Sequence, residues 1–386
     1  MSAQPAPHTT VVDHQAELEA YMSAGQTRAL ALGNRGPIRY DAQGDIHPDI
    51  LEAYWREGFY VFENVIQQRE LHELRADVDN ALAGAPVAPG SDVNAAGGEP
   101  VGSAFVRDTF HFAKPLSDPL GGTAKNKGRH PVKMTEPTPN IDAPTHTIER
   151  IHGNLQVMDC ALRLYGHHDL LSVAAAVNGP DFVPYNEVTF VKEPRLGVSV
   201  AWHRDGTTHW DAPDWDDGAH GFNFMAQLYP STPGNGVWVL PGSHKKKDVD
   251  IPSLVRASGS ERIDGAVPMV CDAGAVIISN RQLVHGSFAN TSADRRITLN
   301  MGFFPRERVL GISTERLDGK VDTYDHTRVE ERSRIIELAI DARAQHFPEA
   351  PRYRYAPLAD RGQSFEWNEA NREALLSNYN LQDMYI

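Results

Sequence analysis

The chain has 386 residues, of which 41% are hydrophobic, and it carries 51 acidic against 37 basic side chains for a net charge of −14. This length and apolar content allow a large core, in one domain or in two. The acidic balance argues against nucleic acid or an anionic membrane as the main partner, and it weakly favours a neutral or cationic substrate.

The compartment follows from what the sequence lacks. No segment approaches the roughly 20 apolar residues of a membrane span, and residues 1–7 have neither the basic nor the apolar part of a signal peptide. We therefore expect a cytoplasmic protein without a membrane partner. The two cysteines, Cys160 and Cys271, are expected to be core thiols and not a disulfide. The sequence leaves the oligomeric state open.

Three segments differ in composition. Residues 1–45 form a polar, Ala-rich arm. Residues 46–305 read as one domain with a Gly- and Pro-rich insertion at about 84–150, of the kind that often forms a lid or a binding loop; a plain surface excursion is the alternative. Within 306–386, residues 329–340 show helical spacing of apolar side chains, which predicts a C-terminal helical extension packed on the core.

Four His-x-Asp triplets occur among 17 histidines, at residues 47–49, 167–169, 203–205 and 209–211. Residues two apart share a face on a strand but not on a helix, so a triplet on a strand is best placed to close on one metal ion. The triplet at 167–169 lies in a helical pattern and is interpreted as surface, and those at 47–49 and 209–211 lie in loop-like sequence. His203 and Asp205 remain as the candidate ligands.

The stretch before this third triplet alternates in character. Small or polar side chains occupy one face and bulky ones the other, namely Ser199, Ala201, His203 and Asp205 against Val198, Val200 and Trp202. A strand that lines a cavity presents such a polar face while its bulky face packs on a neighbouring layer. An ordinary half-buried strand, whose His and Asp meet solvent, is the alternative.

A distal histidine follows a second strand pattern. Residues 274–279 predict a strand that leads to His285, 80 positions beyond Asp205. Two imidazoles and one carboxylate are the set that holds Fe(II) on one face of an octahedron and leaves the opposite positions open. His203, Asp205 and His285 are therefore the predicted metal ligands.

An arginine near these ligands predicts an anionic ligand as well. Turn residues at 290–294 precede an alternating strand at 296–303, whose polar face begins at Arg296 and whose apolar face begins at Ile297. Because burying an unpaired guanidinium is costly, an Arg that projects into a cavity needs an anion, and a dicarboxylate co-substrate supplies one. Arg295 has the opposite parity and is predicted to be a surface or salt-bridged residue.

These features together resemble the phytanoyl-CoA dioxygenase-like (PhyH) family of Fe(II)/2-oxoglutarate oxygenases. The resemblance rests on the His203–Asp205 triplet, on His285, and on an Arg 11 residues beyond it. It extends to residues 57–75, to residues 234–245 with their Pro-Gly-Ser-His-Lys turn, and to residues 285–290. Five ordered blocks across about 50–305 are more specific than any single motif.

The resemblance implies a mainly β fold with flanking helices (α+β), built on a double-stranded β-helix or cupin-like jelly-roll core. It implies Fe(II) held by the three predicted ligands, with 2-oxoglutarate and O2 as co-substrates, and it assigns Arg296 and Ser287 to the distal carboxylate of 2-oxoglutarate. Asn186 and Thr208 fall where relatives place further co-substrate contacts, although polar residues at such positions are often surface or capping groups. His244 is assigned to its turn and not to the metal.

The implied activity is hydroxylation of an unactivated C–H bond in a small-molecule metabolite, with 2-oxoglutarate and O2 converted to succinate and CO2. Halogenating relatives carry a small residue in place of the carboxylate, so Asp205 favours hydroxylation, desaturation or a related oxidation. Three alternatives remain. They are a cupin-like hydrolase or isomerase that uses the same ligands without 2-oxoglutarate, a non-catalytic jelly-roll binding protein, and an oxygenase whose substrate is a carrier-bound acyl group.

Overall fold

The structure is a computed structural model, and it describes residues 11–205, 216, 218–316, 318–359 and 365–381. The strands within these residues are, in chain order, β1 (Arg35–Gly36), β2 (Phe59–Phe62), β3 (Phe110–Ala113), β4 (Thr147–Ile151), β5 (Val183–Lys192), β6 (Val200–His203), β7 (Phe222–Gln227), β8 (Trp238–Val239), β9 (Val267–Pro268), β10 (Val276–Asn280), β11 (His285–Ser287), β12 (Arg296–Phe304), β13 (Ser313–Glu315) and β14 (Val321–Thr323). The α-helices are α1 (Val11–Ala31), α2 (Pro48–Glu57), α3 (Gln68–Ala83), α4 (Asn154–Val157), α5 (Asp159–Tyr165), α6 (His168–Asn178), α7 (Ile251–Ala257), α8 (His326–His346) and α9 (Glu369–Leu376).

Two sheets form the centre of the molecule. The larger has the order β1-β2-β10-β7-β12-β5-β4-β3, and the smaller has the order β6-β11-β8-β9. Neighbouring strands run antiparallel throughout both sheets, except that β1 is parallel to β2. The predicted jelly-roll core with flanking helices is confirmed.

Each strand of the large sheet divides its side chains between two environments. On β12, Ile297, Leu299 and Phe303 enter the main hydrophobic core, which the helices α2, α3, α5, α6 and α8 cover. Arg296 and Asn300 point instead into the space between the sheets. At the other end of that space, residues of β2, β8, β9 and β10 form a second, apolar cluster that closes it. One end of the interior is therefore apolar and the other is polar.

Helix α1 covers the outer face of the small sheet. Its Tyr21 stacks on Trp238 with ring centroids 4.5 Å apart, and the Tyr21 hydroxyl donates to the carbonyl of Ile263 at 3.0 Å. Arg28 donates to the carbonyl of Ala266 at 2.8 Å. Much of the polar arm at residues 1–45 is thus a helix that is fixed by contacts with distant parts of the chain.

The insertion at 84–150 contributes to the sheet and to the interior. Its strands β3 and β4 extend the large sheet beyond β5. Between them, a 3-10 helix at Lys125–Gly128 leads directly to Arg129 and His130, which line the polar end of the interior. Part of the segment therefore lines the central cavity.

The C-terminal segment packs on the large sheet. The predicted helix at 329–340 is confirmed and extends over His326–His346. Its Arg343 forms a buried ion pair with Glu70 of α3, and its Arg332 donates to the carbonyl of Tyr185 on β5 at 2.8 Å. None of the helices in the described ranges combines the length and the apolar character needed to cross a bilayer.

Candidate metal centre

Three metal-binding side chains converge between the two sheets. His203 ends β6, Asp205 lies two residues beyond, and His285 begins β11 as the register partner of His203. One ligand atom from each lies within 4.8 Å of the others, and Nε2 of His203 is 3.4 Å from Oδ1 of Asp205. Ligand atoms about 2.1 Å from one octahedral ion are about 3 Å apart. The three side chains are thus placed so that small movements bring them onto one ion.

The backbone orients both histidine rings. Nδ1 of His203 donates to the carbonyl of Ala201 at 2.8 Å, and Nδ1 of His285 donates to the carbonyl of Leu283 at 2.9 Å. A neutral imidazole that donates through Nδ1 keeps Nε2 unprotonated, which is the form that binds a metal. Burial, together with the neighbouring His203, lowers the pKa of His285 to about 4. At neutral pH this ring is therefore in its ligand form.

Asp205 is held by polar groups that favour its charged form. Asn223 donates to its Oδ2 at 3.0 Å, while Arg281 and Arg129 each approach a carboxylate oxygen at 3.6 Å. Burial alone would raise the pKa of this carboxyl, but the charge of Arg281, the contact with His203 and the charges of His285 and Arg129 together outweigh burial, and the pKa lies well below its usual range. Asp205 is thus an anion before any metal binds, and its second oxygen is fixed by Asn223.

The predicted faces of the strand before His203 are correct only in part. Val198 and Val200 were predicted on the packing face, yet both line the cavity together with Ser199 and His203. The register between β6 and β11 explains this difference, because His285 pairs with His203 whereas Ser287 pairs with Val200, so that a β-bulge adds one residue to β6. A bulge shifts the alternation by one position. Ala201 consequently packs with Trp202 in the outer cluster.

Arg296 projects into the same cavity as the three ligands. Its side chain is buried, and its Nε and Nη1 have no hydrogen-bond partner among the described residues. Burial lowers its pKa to about 10, so the guanidinium stays charged at neutral pH. Arg295, by contrast, is paired at 2.8 Å with both Asp79 and Glu193. The structure therefore places Arg296 and Arg295 on opposite sides of the chain, as the alternation predicts.

Lys192 lies beside Arg296 as its register partner on β5. Its Nζ donates to the carbonyl of Phe288 at 2.5 Å, and burial together with the charge of Arg296 lowers its pKa well below the usual range. Two basic side chains therefore meet at one end of the cavity, where Ser287 is also buried. The cavity has a volume of about 100 Å³, well below the roughly 300 Å³ at which drug-sized ligand sites begin.

Of the two weaker sequence predictions, Asn186 can be compared with the structure, whereas Thr208 stays a prediction. Asn186 is buried on β5 but does not line the cavity, and its amide faces Gly302, where a Cβ would lie 2.5 Å from its Oδ1. Thr208 lies outside the described residues. His244 belongs to its turn, as predicted, with Nε2 3.1 Å from the carbonyl of Trp55.

Several residues that line the cavity were not predicted from the sequence. Asn223 could have been found, because Phe222–Gln227 alternates and Asn223 lies opposite the apolar Phe222 and Phe224. Arg281 directly follows β10, and Arg129 and His130 lie in an irregular segment. No periodic pattern marks any of these three positions.

Comparison with protein-family models gives a match to the phytanoyl-CoA dioxygenase (PhyH) family over residues 54–298. The chain belongs to this family. The match covers both sheets apart from β1 and the part of β12 beyond residue 298, and it includes the three ligand residues and Arg296. Enzymes of the PhyH family use Fe(II), 2-oxoglutarate and O2, and the His203–Asp205–His285 cluster fits that iron.

Comparison with curated protein sequences gives no match. Among solved structures, the chain is similar to EctD from S. alaskensis with 2-oxoglutarate and 5-hydroxyectoine, at 21% identity over 73% of this chain and 83% of that one, with a TM-score of 0.48. It is similar to AviO1 from Streptomyces viridochromogenes Tue57, at 22% identity over 67% and 94% of the two chains, with a TM-score of 0.45. It is also similar to SnoN, an epimerase from nogalamycin biosynthesis, at 16% identity over 67% and 85%, with a TM-score of 0.44.

Proposed function

We propose that this PhyH-family enzyme hydroxylates an unactivated C–H bond of a small-molecule metabolite while 2-oxoglutarate and O2 are converted to succinate and CO2. The observation that carries the proposal is the buried, unpartnered edge of Arg296 in the cavity that also holds the three ligand side chains. A hydrolase or isomerase on the same three ligands has no need of a cation at that position.

His203, Asp205 and His285 would hold the iron, and Asn223 would keep the second oxygen of Asp205 turned away from it. Bound Fe(II) supplies the activation of O2, coupled to oxidative decarboxylation of 2-oxoglutarate. Because Asp205 occupies one coordination position itself, no position is freed for a halide. We therefore assign hydroxylation and not halogenation to the site.

Arg296 and Ser287 would bind the distal carboxylate of 2-oxoglutarate through charge-assisted hydrogen bonds. Lys192 lies within the same end of the cavity and adds a further donor. These groups stand on β5, β11 and β12, which belong to two different sheets. Rigid strands on both sides of the cavity would fix the co-substrate with its keto acid end toward the ligand cluster.

We propose the same division of the chain that the sequence suggested. Residues 46–305 form the catalytic unit, residues 84–150 supply part of its cavity wall, and residues 306–386 form an extension packed on the core. The arm at 1–45 contributes α1 to the outer face of the small sheet.

The test begins with metal-free protein under anaerobic conditions. Adding Fe(II) and 2-oxoglutarate should produce the weak visible charge-transfer band of the chelate in the wild type and in His146→Ala, which removes an exposed histidine away from the cavity. His285→Ala should show no band. With O2, candidate metabolites should then release succinate and gain one oxygen atom by mass. Absence of the band in the wild type, or a hydroxylated product from His285→Ala, would reject the proposal.

A further inference from the structure

The cavity is strongly basic although the protein as a whole is acidic. Its lining contains five cationic side chains and two carboxylates, an excess of three positive charges with the histidines neutral. The cations are Arg129, Arg150, Lys192, Arg281 and Arg296, and the anions are Glu149 and Asp205. A neutral Lys192 would still leave an excess of two. Buried charges of one sign are stable only when a partner of the other sign is present.

The proposed cofactors do not supply that partner. The two positive charges of Fe(II) and the two negative charges of 2-oxoglutarate cancel, so the excess is the same after both have bound. Arg150 is paired with Glu149 at 2.9 Å, and Arg281 is fixed by Asn223 at 2.9 Å beside Asp205. Arg296 is assigned to the co-substrate. Arg129 and Arg281 then share the single carboxylate of Asp205, which would also bind the metal, so these two guanidiniums lack one anion between them.

Arg129 is built into the cavity wall. Its side chain is 7% exposed, Nη1 is 3.6 Å from the Asp205 oxygen that faces His203, and Nε has no hydrogen-bond partner in the part of the chain that the structure describes. Its carboxylate neighbour is shared with Arg281 and would be shared with the metal. A second group without a partner lies next to it. Both ring nitrogens of the buried His130 lack partners among the described residues, and its ring centroid is 4.2 Å from that of His203.

We infer that the substrate of the proposed hydroxylation carries a carboxylate, which Arg129 binds beside the metal while His130 offers it a further hydrogen bond. This inference rests on the proposed function for its placement of iron and 2-oxoglutarate. A carboxylate fits these donors, because its two oxygens can accept hydrogen bonds from the Arg129 guanidinium and from the His130 ring together. The local charge thus reverses the weak preference for a neutral or cationic substrate that the net charge of −14 suggested.

The experiment uses four probes that each contain six carbon atoms in an unbranched chain: hexanoate, hexanamide, hexyl phosphate and hexylamine. Each is titrated into anaerobic protein with Fe(II) and saturating 2-oxoglutarate, and the chelate band and the melting temperature are recorded together. Hexanoate should act at concentrations at least about tenfold lower than hexanamide or hexylamine, because a charge-assisted hydrogen bond to a buried cation is worth at least a factor of about ten.

Arg129→Gln should weaken the effect of hexanoate by about tenfold and leave that of hexanamide unchanged. Arg295→Gln is the matched control, since it removes the same charge from a salt-bridged residue outside the cavity, and it should behave as the wild type. Equal effects of hexanoate and hexanamide would overturn the inference. So would an Arg129→Gln variant that binds 2-oxoglutarate less well but keeps the full hexanoate effect, because Arg129 would then serve the co-substrate.

Two further outcomes separate the inference from the proposed function. A stronger effect of hexyl phosphate than of hexanoate would replace the carboxylate by a phosphate and overturn this assignment. If the wild type gives no chelate band, the oxygenase proposal fails. Even without the chelate band, a change in melting temperature on adding hexanoate that depends on Arg129 would support the carboxylate site. If hexanoate caused no such change, the carboxylate site would be refuted.

Discussion

Replacing Arg296 by Gln separates the binding of 2-oxoglutarate from the folding of the protein. Arg296 is buried on β12, and two of its three guanidinium nitrogens have no partner among the residues that the structure describes. In the metal-free protein the substitution removes a buried charge with unmet hydrogen bonds. The melting temperature of the metal-free variant should therefore equal or exceed that of the wild type.

The loss of co-substrate affinity can be worked out from the same contacts. A carboxylate that faces the guanidinium accepts two charge-assisted hydrogen bonds, each worth about 1.5–3 kcal/mol, whereas a Gln amide offers at most one neutral bond worth about 0.5–1.5 kcal/mol. The net loss is about 1.5–5.5 kcal/mol, which is a roughly 10- to 8,000-fold increase in the Kd for 2-oxoglutarate. Ser287 and Lys192 remain, so binding is weakened and not abolished.

The assay is an anaerobic titration of 2-oxoglutarate against Fe(II)-loaded protein, followed through the charge-transfer band. Arg295→Gln is the control, because it changes the neighbouring residue and the same charge while leaving the cavity lining intact. The reasoning is refuted if Arg296→Gln binds 2-oxoglutarate within threefold of the wild type, or if Arg295→Gln weakens it as much.

Three further predictions concern the packing around the site. Burial raises the pKa of Glu187 to about 7, so between about pH 4.5 and pH 7 the folded protein keeps a proton that the unfolded chain releases. The free energy of unfolding should therefore fall by about 3 kcal/mol as the pH rises through this range. Melting curves of Glu187→Gln should show a smaller dependence on pH. Gly166→Ala places a Cβ 2.3 Å from a backbone oxygen of α8 and should lower stability in urea by about 1–3 kcal/mol or more, whereas Gly98→Ala, with no new contact under 3.6 Å, should not. Glu70→Gln breaks a buried ion pair that Arg343 makes at 2.6 Å and 3.1 Å, and it should lower the free energy of unfolding by about 3–5 kcal/mol. Replacing both partners by Leu should restore most of that stability. A double variant as unstable as Glu70→Gln would contradict the role of the unpaired charge.

The sequence alone is enough to predict the faces of a long strand. On β12 the polar and apolar positions alternate from Arg296 onward, and the structure separates them into cavity and core. The alternation is visible in the sequence because the two environments of this strand differ strongly in polarity. The turn at residues 290–294 then accounts for the 11 residues that separate His285 from Arg296 along the chain.

Alternation fails where the backbone departs from a regular strand or where both faces are buried. The bulge in β6 turns Val200 toward the cavity, and a one-residue shift of register leaves no trace in the residue types. Strand β5 is buried on nearly every residue, so its apolar content does not show which face Asn186 occupies. Helix α1 has a weak apolar stripe and depends on contacts such as that of Tyr21 with Trp238, which no local pattern reveals.

The residues that no sequence pattern indicates are also those that determine the charge of the site. Asp205 must be an anion to bind iron, and a buried carboxylate needs a cation nearby. Arg281 meets this need and is itself immobile, because it is 1% exposed, bonded to Asn223 and stacked 4.6 Å from the ring centroid of Tyr185. Arg129 approaches the same carboxylate from the irregular stretch between β3 and β4, and such loops tolerate sequence change better than the strands that flank them. The rigid strands would then set the metal and the co-substrate, and the insertion would set which substrate is held beside them.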